Sequence, residues 1–454
     1  MLKEASVRGL LMAMAAELLK SLVILFIEKV VLTVGSAAVA LVFPMGKVLL
    51  PGIIDHAVNV MFGPEFLKNP LAKEETKGFK WKEYFKSPSQ IYQAMTSKFH
   101  RLIQYEPFSK EMLAEAENAI LETALNEVVI ERYVTPVFAN MTTVHSIFAK
   151  GRDPTLYDPN KVPLVLLHEL GAGVGYWSNN IAAFGSERPT YALDMFGFGQ
   201  SERIHGFPDS AETAEEWFVK SVEEWREAMG IEKMILLGHR LGGYVAASYA
   251  LLYPERVRHL ILCEPWGFVE KQAKKIDDWV TQNMPKFFYA VPWVMNKLHT
   301  FDIVRFTGRL GMGPQTISTH KPNLGLNICP NNPQAAFEYL HQVNADHPTG
   351  EIVYSKLSEN NWALNPMNRR IRNLDPTVPI TFLLSDHEDQ PLEEVVWNTS
   401  CWRKERNMFT IIHHIRSGKR PNIQNPKAFN NDVLVVCRIV DRNADIRPPN
   451  ARNR

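Results

Sequence analysis

The residues whose spacing points most directly to chemistry are Gly238, His239, Arg240, Leu241 and Gly242, which join an apolar stretch to a helix-forming one. Glycines two residues before and two residues after a central residue are typical of the sharp strand-to-helix turn G-x-S-x-G, which exposes a nucleophilic serine. In this chain an arginine occupies the position of the serine. A guanidinium stays protonated and has no lone pair with which to attack a carbonyl carbon. The motif therefore predicts that the turn is kept and that acyl-transfer chemistry at its centre is lost.

Two interpretations of Arg240 follow from its place at the start of a helix. A guanidinium that faces a pocket there could bind a phosphate or a carboxylate. Alternatively, the position is free of catalytic demand and the side chain forms an ion pair with a nearby acid such as Glu169. We favour the ion pair, because a single residue specifies no ligand.

The elements that must position this turn are short apolar strands that alternate with helices. Continuous apolar runs are expected of parallel strands that are covered on both faces. Such runs occupy 162–169, 190–195, 233–237, 257–263, 378–384 and 408–415. Because strands and helices alternate, the sequence predicts a mostly parallel, doubly wound α/β sheet.

Two further patterns complete the predicted fold. Asp209 and Glu212 form a plausible capping pair for the amphipathic helix that follows them. Residues 268–360 are rich in Trp, Phe, Met, Asn and Pro and show no strand period, which is typical of an inserted cap.

Composition argues against a disordered chain, a general nucleic-acid-binding protein and a protein with structural zinc. Hydrophobic residues make up 46% and charged residues 22% of the 454, which is typical of a globular chain. Lys and Arg number 50 against 49 Asp and Glu, so a net charge of +1 gives no general attraction to nucleic acid. The four cysteines form no CxxC and no Cys/His cluster, which indicates a reducing compartment and no structural zinc. We expect no metal and no cofactor.

The N-terminal segment is unusually apolar. Residues 30–46 carry no charge, and at about 1.5 Å per residue they span roughly 26 Å, the short limit for crossing a bilayer. Pro44 and Gly46 interrupt the helical pattern, so a hairpin inserted in one leaflet fits as well as a full span. A buried helix of a soluble protein is the alternative. We expect residues 7–64 to associate with a membrane or a lipid surface.

A family resemblance rests on several motifs around the turn. HELGAGVGYW occupies 168–177, LDMFGFGQS occupies 193–201, and EPWGF occupies 264–268. With GHRLGGY at 238–244, they resemble α/β-hydrolase domain-containing proteins 4 and 5, over about residues 110–442. The resemblance implies an α/β-hydrolase fold with a helical cap, lipids as the substrate class and a setting at lipid droplets.

The strand-to-helix turn that carries the serine is called the nucleophile elbow. The same resemblance divides the family by the residue at the centre of this elbow. One branch keeps the serine and acts as a phospholipid lipase, whereas the other lacks it and activates a triacylglycerol lipase by binding it. A lysophosphatidic acid acyltransferase activity, through an HxxxxD motif, is also ascribed to the second branch. By its elbow this chain is similar to the co-activator branch, although the residue is Arg rather than Asn.

Other positions that the resemblance marks as catalytic also depart from the family. Lys419 occupies the position of the histidine base, and Gln424 occupies that of the HxxxxD aspartate. Pro391 lies closest to the position of the acid, for which Asp386 or Asp389 could still substitute.

The oxyanion segment and the loop before Lys419 give two more comparisons with the family. In the family the segment that forms the oxyanion hole reads HGxGGG, and here it begins His168-Glu169-Leu170-Gly171. A glutamate beside an oxyanion hole opposes the negative charge that develops there. Gly418 matches the family and is a candidate for partner binding.

The expected organisation has five segments. They are an apolar membrane or lipid-surface anchor (1–64), a connector (65–108), the first part of the hydrolase core (109–267), the cap (268–360) and the last part of the core (361–454). We interpret the chain as a non-catalytic α/β-hydrolase that regulates lipid metabolism and binds a triacylglycerol lipase. Its expected place is the cytoplasmic side of a lipid droplet or of an intracellular membrane, such as the endoplasmic reticulum or the mitochondrial surface.

Two alternatives stay open. The chain could be a lysophosphatidic acid acyltransferase or a lipid esterase that uses non-standard groups such as His387 with Asp389. Loss of nucleophile, base and acid together argues against this, because triad members act as a unit. The chain could also be a lipid carrier that uses the vacated cleft under the cap.

Overall fold

The computed structural model describes residues 108–204, 206, 208–271, 301, 305, 327–359, 361–386 and 390–442. The predicted anchor over 1–64, nearly all of the connector and most of the cap lie outside these residues. Within the described ranges, no helix is both long enough and apolar enough to cross a bilayer.

The strands form one large sheet and one small hairpin. In chain order they are Val128–Val137 (β1), Thr142–Gly151 (β2), Leu164–Leu167 (β3), Thr190–Leu193 (β4), Met234–His239 (β5), Val257–Cys263 (β6), Ser358–Glu359 (β7), Trp362–Ala363 (β8), Ile380–Ser385 (β9) and Thr410–Ile415 (β10). The large sheet has the order β1-β2-β4-β3-β5-β6-β9-β10, and β7 pairs with β8. β2 is antiparallel to both of its neighbours, whereas the remaining pairs of the large sheet are parallel. The predicted mostly parallel α/β sheet is therefore confirmed.

Helices cover both faces of this sheet. In chain order they are Lys110–Leu121 (α1), Ile181–Gly185 (α2), Ala211–Ala228 (α3), Leu241–Leu252 (α4), Pro333–Ala345 (α5), Thr349–Leu357 (α6), Met367–Arg370 (α7), Gln390–Lys404 (α8), Pro421–Gln424 (α9) and Pro426–Arg442 (α10). The buried residues of α3, α4, α6 and α8 belong to one apolar cluster, and those of α1, α2, α5 and α10 belong to another. Ile235 and Leu236, which are successive residues of β5, fall in different clusters, so the clusters lie on opposite faces of the sheet. The doubly wound arrangement is confirmed.

The central strands read as continuous apolar runs because both of their faces are covered. Every residue of β3, β5 and β9 is buried. A strand with one face exposed to solvent would instead alternate apolar and polar residues.

The start of α3 differs by one residue from the prediction. Ser210 is the N-cap, and its side chain accepts a hydrogen bond from Thr213 N at 3.2 Å. Asp209 is exposed, so its pairing with Glu212 as a capping box is wrong. Asp and Ser cap helices about equally well, and adjacent cap residues therefore cannot be ranked by sequence.

Helix α4 is held in place on nearly every side, which fixes the residue that precedes it. All residues from Leu241 to Ala250 are buried, and the helix packs against β3, β5 and β6. Its second and third residues, Gly242 and Gly243, are small enough for the helix to approach the sheet closely. Arg240, the N-cap of α4, is consequently placed by the core rather than by a flexible loop.

Between β6 and β9 the described residues add helices and the β7–β8 hairpin, and none of them joins the large sheet. This is the part of the chain in which the cap was predicted. The bounds of the cap stay a prediction, because most of residues 268–360 lie outside the described ranges.

Candidate functional site

Arg240 lies at the apex of a tight turn between β5 and α4. Its backbone angles are φ 50° and ψ −107°, in a region that residues with a side chain rarely occupy. Arg240 N donates to Cys263 O at 3.0 Å, and Trp266 N donates to Arg240 O at 3.0 Å. These bonds to the end of β6 hold the chain in a strained turn that carries a guanidinium at its apex.

Gly238 and Gly242 are required by close backbone contact. A Cβ atom on Gly238 would lie 2.1 Å from the carbonyl oxygen of Gly242, and one on Gly242 would lie 2.3 Å from that of Leu167. Both distances are far below van der Waals contact with a rigid group, so a side chain at either position would displace the backbone. The glycines thus let α4 approach both β5 and β3.

The side chain of Arg240 pairs with the acid that the sequence suggested. Arg240 Nε lies 3.4 Å from Glu169 Oε2, so the ion pair that the sequence suggested is present in the structure. The other carboxylate oxygen, Oε1, accepts a hydrogen bond from Nε of Arg420. One nearly buried carboxylate therefore lies between two guanidinium groups, and a third of the Arg240 side chain remains exposed.

The charge of Glu169 is fixed by these neighbours. Burial by itself would raise the pKa of Glu169, but the charges of Arg420 and Arg240 outweigh it and lower that pKa to about 2. Glu169 is therefore ionised at neutral pH. A fixed negative charge in the segment that should stabilise an oxyanion would oppose the charge that develops during acyl transfer.

His168, the first residue of that segment, connects neighbouring parts of the chain by hydrogen bonds and is not available as a base. Its Nε2 accepts a hydrogen bond from Met195 N at 3.0 Å, and its Nδ1 lies 2.7 Å from the carbonyl oxygen of Glu169. Its own carbonyl oxygen accepts from Gly242 N at 3.1 Å. Burial lowers the pKa of His168, so the ring is neutral with both nitrogens occupied.

The rest of the segment is closed by neighbouring side chains. Leu170 is partly buried against the core, and Gly171 has a φ of 70°. A Cβ atom on Gly171 would lie 2.0 Å from the Phe301 ring and 2.9 Å from Asn344 Oδ1. Little room remains beside the backbone at this point.

The loop after β10 presents Arg420, not Lys419, to the turn. Lys419 is exposed, and its carbonyl oxygen lies 3.4 Å from His239 Nε2. Gln424 Oε1 accepts a hydrogen bond from Arg420 N at 3.1 Å and would lie 2.7 Å from a Cβ atom on Gly418. Gly418 and Gln424 therefore shape a loop that directs Arg420 toward Glu169. We did not predict Arg420 from sequence, because a loop without periodicity does not indicate side-chain directions.

His239 and Tyr176 lie buried beneath the turn. Their rings stack with centroids 5.5 Å apart and an interplanar angle of 22°. Burial lowers the pKa of His239 to about 3, so this imidazole is neutral at physiological pH. Its Nε2 is directed to the backbone of the 418–424 loop, which places it in the packing of the turn.

At the end of β9, where the family's catalytic acid is expected, the described residues include no buried aspartate. Asp386 is exposed just beyond β9, and Pro391 lies in the first turn of α8. Asp389 and His387 lie outside the described residues. The buried carboxylate at these strand ends belongs to Glu264, whose Oε1 accepts a hydrogen bond from Ser385 N at 2.5 Å.

A second group of buried charges lies around Asp194. His145 Nδ1 is 2.8 Å from Asp194 Oδ2, and the donor atoms of Glu117 lie close enough for the three side chains to suit a metal ion. The carboxylate of Asp194 also accepts from the backbone of Val174 and Gln200, at 2.7 Å each. Because these oxygens are already hydrogen-bonded, we assign the cluster to the attachment of the 193–201 segment.

Comparisons with known proteins agree with this geometry. The chain matches the model of the alpha/beta hydrolase fold over residues 162–393. The abhydrolase domain-containing protein abhd-5.2 of Caenorhabditis elegans is 36% identical over 312 residues, which are 68% of this chain and 65% of that protein. The chain thus spans slightly less than two thirds of this nematode relative.

Two mammalian relatives are matched over more of their length. The Homo sapiens 1-acylglycerol-3-phosphate O-acyltransferase ABHD5 is 33% identical over 284 residues, 62% of this chain and 79% of that protein. The (Lyso)-N-acylphosphatidylethanolamine lipase of Mus musculus is 35% identical over 339 residues, 73% of this chain and 93% of that protein.

Proposed function

We propose a function for this chain from one premise: it belongs to the α/β-hydrolase fold family, in the group of α/β-hydrolase domain-containing proteins 4 and 5. In our proposal the chain regulates lipid metabolism without hydrolysing lipid esters, and it does so by binding and activating a triacylglycerol lipase. It would act on the cytoplasmic side of a lipid droplet or an intracellular membrane, with residues 7–64 as its anchor.

The observation that carries the proposal is the guanidinium of Arg240 at the apex of the elbow. A nucleophile at this point needs a lone pair and a base that removes its proton. The guanidinium has no lone pair to offer, and it is held against Glu169 at 3.4 Å. Ester hydrolysis through an acyl-enzyme at this position is therefore excluded.

The groups that would assist a nucleophile support the same conclusion. An arginine from the 418–424 loop enters the site where an imidazole base would be needed. The ionised carboxylate of Glu169 opposes an oxyanion. Triad members act as a unit, so several simultaneous changes leave little of the rate enhancement.

The lipid class in the proposal comes from the relatives. The names of the two mammalian proteins describe an acyltransferase for an acylglycerol phosphate and a lipase for an N-acylated phospholipid. Both names describe phospholipids that carry acyl groups. This chain has the same fold and an elbow without a nucleophile. In our proposal it therefore recognises lipids or the enzymes that act on them.

A lysophosphatidic acid acyltransferase is the second candidate, because the name of the Homo sapiens relative describes that reaction. The chain departs from the HxxxxD motif at both ends, with Lys419 and Gln424. Acyl transfer from acyl-CoA to lysophosphatidic acid above a denatured control would support this candidate. A lipid carrier, in turn, predicts one bound lipid per chain after mild purification.

The proposal is tested by fatty-acid release from triacylglycerol droplets by a droplet lipase, with and without the full chain. We expect the chain to increase the release, and we expect a smaller increase from a chain that lacks residues 1–64. The chain mixed with a lipase whose own serine has been replaced is the control and should release nothing. Equal release with and without the full chain would contradict the co-activator function.

A further inference from the structure

We infer that two copies of this chain associate through the open edge of the large sheet, which is formed by strand β10 and helix α8. The inference goes beyond the proposed function and does not depend on it. Three observations carry it: a strand edge without protection, a stripe of α8 whose two ends carry opposite charges, and a twofold axis that suits both elements.

Strand β10 is the last strand of the large sheet and, within the described ranges, pairs only with β9. Phe409 O accepts a hydrogen bond from Ile380 N at 3.2 Å, so the backbone groups of the odd-numbered residues face β9. Successive residues of a strand point these groups to opposite sides. The backbone N–H and C=O groups of Thr410, Ile412 and His414 therefore point away from the sheet, where another strand could pair with them.

The two edges of this sheet differ in how they are protected. Strand β1, at the other edge, contains Glu131, Arg132 and Pro136, and charged residues and proline keep edge strands from pairing with other chains. Strand β10 reads TIIHHI and contains no proline, lysine or acidic residue. Its first four residues are only partly buried, whereas every residue of β9 is buried. The β10 edge is thus the one that suits pairing with a further strand.

Helix α8 presents a stripe of side chains beside this edge. The residues of α8 that pack on the core are Leu392, Val396, Thr399 and Arg403. Each is followed directly by a member of the second stripe, which consists of Glu393, Trp397, Ser400 and Lys404. One residue turns a helix by about 100°. Because strand–helix–strand units with parallel strands are right-handed in nearly all proteins, this turn directs the second stripe toward the open edge.

The second stripe has no partner in the described part of the chain. The Trp397 side chain is 63% exposed. Glu393 and Lys404 are exposed, and neither forms an ion pair with a described residue. Exposed tryptophans are enriched where proteins contact each other. The stripe is therefore suited to contact with another molecule.

The order of residues in the stripe makes it complementary to itself. If a second copy lies antiparallel to the first, Glu393 faces the partner's Lys404, and the same pair forms again on the other side of the axis. Trp397 then faces the partner's Ser400, so a large ring meets a small side chain. A surface that fits its own copy in this way is the requirement for a twofold symmetric dimer. It favours a second copy of this chain over an unrelated protein.

One twofold axis serves both elements. Strand pairing centred on Ile412 joins this residue to the partner's Ile412, and it joins Thr410 to the partner's His414, so all the outward backbone groups are used. This centre lies about 7 Å along the strand from Thr410. The centre of the stripe lies about 8 Å along the helix from Lys404. Because a short loop joins Lys404 to β10 and the two elements run in opposite directions, both centres lie at a similar height.

The test is the molecular mass of the full chain in an excess of mild detergent, measured by sedimentation equilibrium. We expect the wild type to form dimers. Glu393→Lys alone and Lys404→Glu alone each set like charges against each other at two contacts. Each should raise the dimer dissociation constant about tenfold or more. The chain with both substitutions restores opposite charges and should dimerise like the wild type.

A mixture of the two single variants is specific for contact between copies. One copy then carries lysine at both 393 and 404, and the other carries glutamate at both, so opposite charges meet at each contact of the mixed dimer. We expect the mixed dimer to be at least tenfold tighter than the dimer of either variant alone. Charge pairing within one copy would not give this result, since the two positions are about 16 Å apart along the helix.

The strand is tested at an exposed position of β10. His414→Pro removes an outward N–H and should weaken dimerisation, whereas His414→Gln keeps the N–H and should not. Thermal unfolding of each variant shows whether it is folded, and the charge reversals test the same dimer without altering the strand.

Three results would overturn the inference. The first is a monomeric wild type, which would leave the edge to another segment of the chain or to another protein. The second is a dimer whose dissociation constant neither charge reversal changes, as expected if the copies associate through residues 7–64. The third is a mixture of the two single variants that dimerises no more tightly than each variant alone.

Discussion

At residue 240 the backbone and the side chain place different demands on the sequence. The backbone, at φ 50° and ψ −107°, favours glycine, which has no Cβ to clash. The side chain is held by its ion pair with Glu169. The arginine therefore keeps a strained turn without the hydroxyl for which such turns are used, and its contribution lies in charge.

The strain at this residue is measured by comparing Arg240→Gly with Arg240→Ala. Both variants lose the ion pair, so their difference isolates the backbone. We expect the glycine variant to have a free energy of unfolding about 1 kcal/mol higher than the alanine variant, measured with urea. At Lys220, within α3, the order should be reversed by a similar amount, because glycine weakens a helix interior. An alanine variant that is as stable as the glycine variant at residue 240 would contradict the strained geometry.

The sequence located the turn at residue level but not the side chains that complete it. Gly238, Arg240 and Gly242 were recognisable because their spacing is local. Arg420 was not, since it approaches from a loop 180 residues later, and the family comparison pointed to its exposed neighbour Lys419. Glu264 follows a buried strand, and only the tertiary structure shows its bond to Ser385 N.

At the scale of elements, the elbow is a junction where α4 approaches two strands through glycines. This packing explains why the glycine spacing persists without a catalytic residue. The strands were predictable because burial on both faces leaves long apolar runs, as in β5. Helices α5 and α6, in the stretch where a cap is predicted, carry no comparable signal in the sequence.

The junction is tested by Gly238→Ala. We expect a loss of about 3 kcal/mol or more in the free energy of unfolding, because the new Cβ would lie 2.1 Å from a backbone oxygen. Gly230→Ala is the matched control: Gly230 has a φ of 67° and nothing within 4 Å of a built Cβ, so only about 1 kcal/mol should be lost. Equal losses in urea unfolding would show that the close approach is unimportant.

For the whole molecule, the two-sided core buries ionisable groups as well as apolar ones. Burial lowers the pKa of both His239 and His259 to about 3, from an ordinary value of 6.5. In the unfolded chain these rings take up protons as the pH falls through 6.5, whereas in the folded chain they do not. Their contribution to stability is therefore complete above pH 6.5 and is lost as the pH falls toward 3.

Acid should consequently destabilise the protein before its carboxylates titrate. Between pH 6 and pH 4.5, each of the two histidines should lower the free energy of unfolding by about 1.4 kcal/mol per pH unit. His259→Gln can keep a hydrogen bond to Thr381 Oγ1. This variant should reduce the slope of the free energy of unfolding against pH by the amount that one histidine contributes. His414→Gln, at an exposed position, should not change it. A slope that is identical in all three proteins would contradict the buried, neutral state of His259.

The most direct test of the central claim, a hydrolase fold that works without hydrolysis, is ester turnover by the chain alone. Fatty-acid release from triacylglycerol and from a soluble short-chain ester should be followed with no lipase present, for the wild type and for Arg240→Ser. We predict that neither exceeds a denatured control, because the serine would face Arg420 and an ionised Glu169. Hydrolysis by the wild type that disappears when one of its residues is replaced would contradict the account.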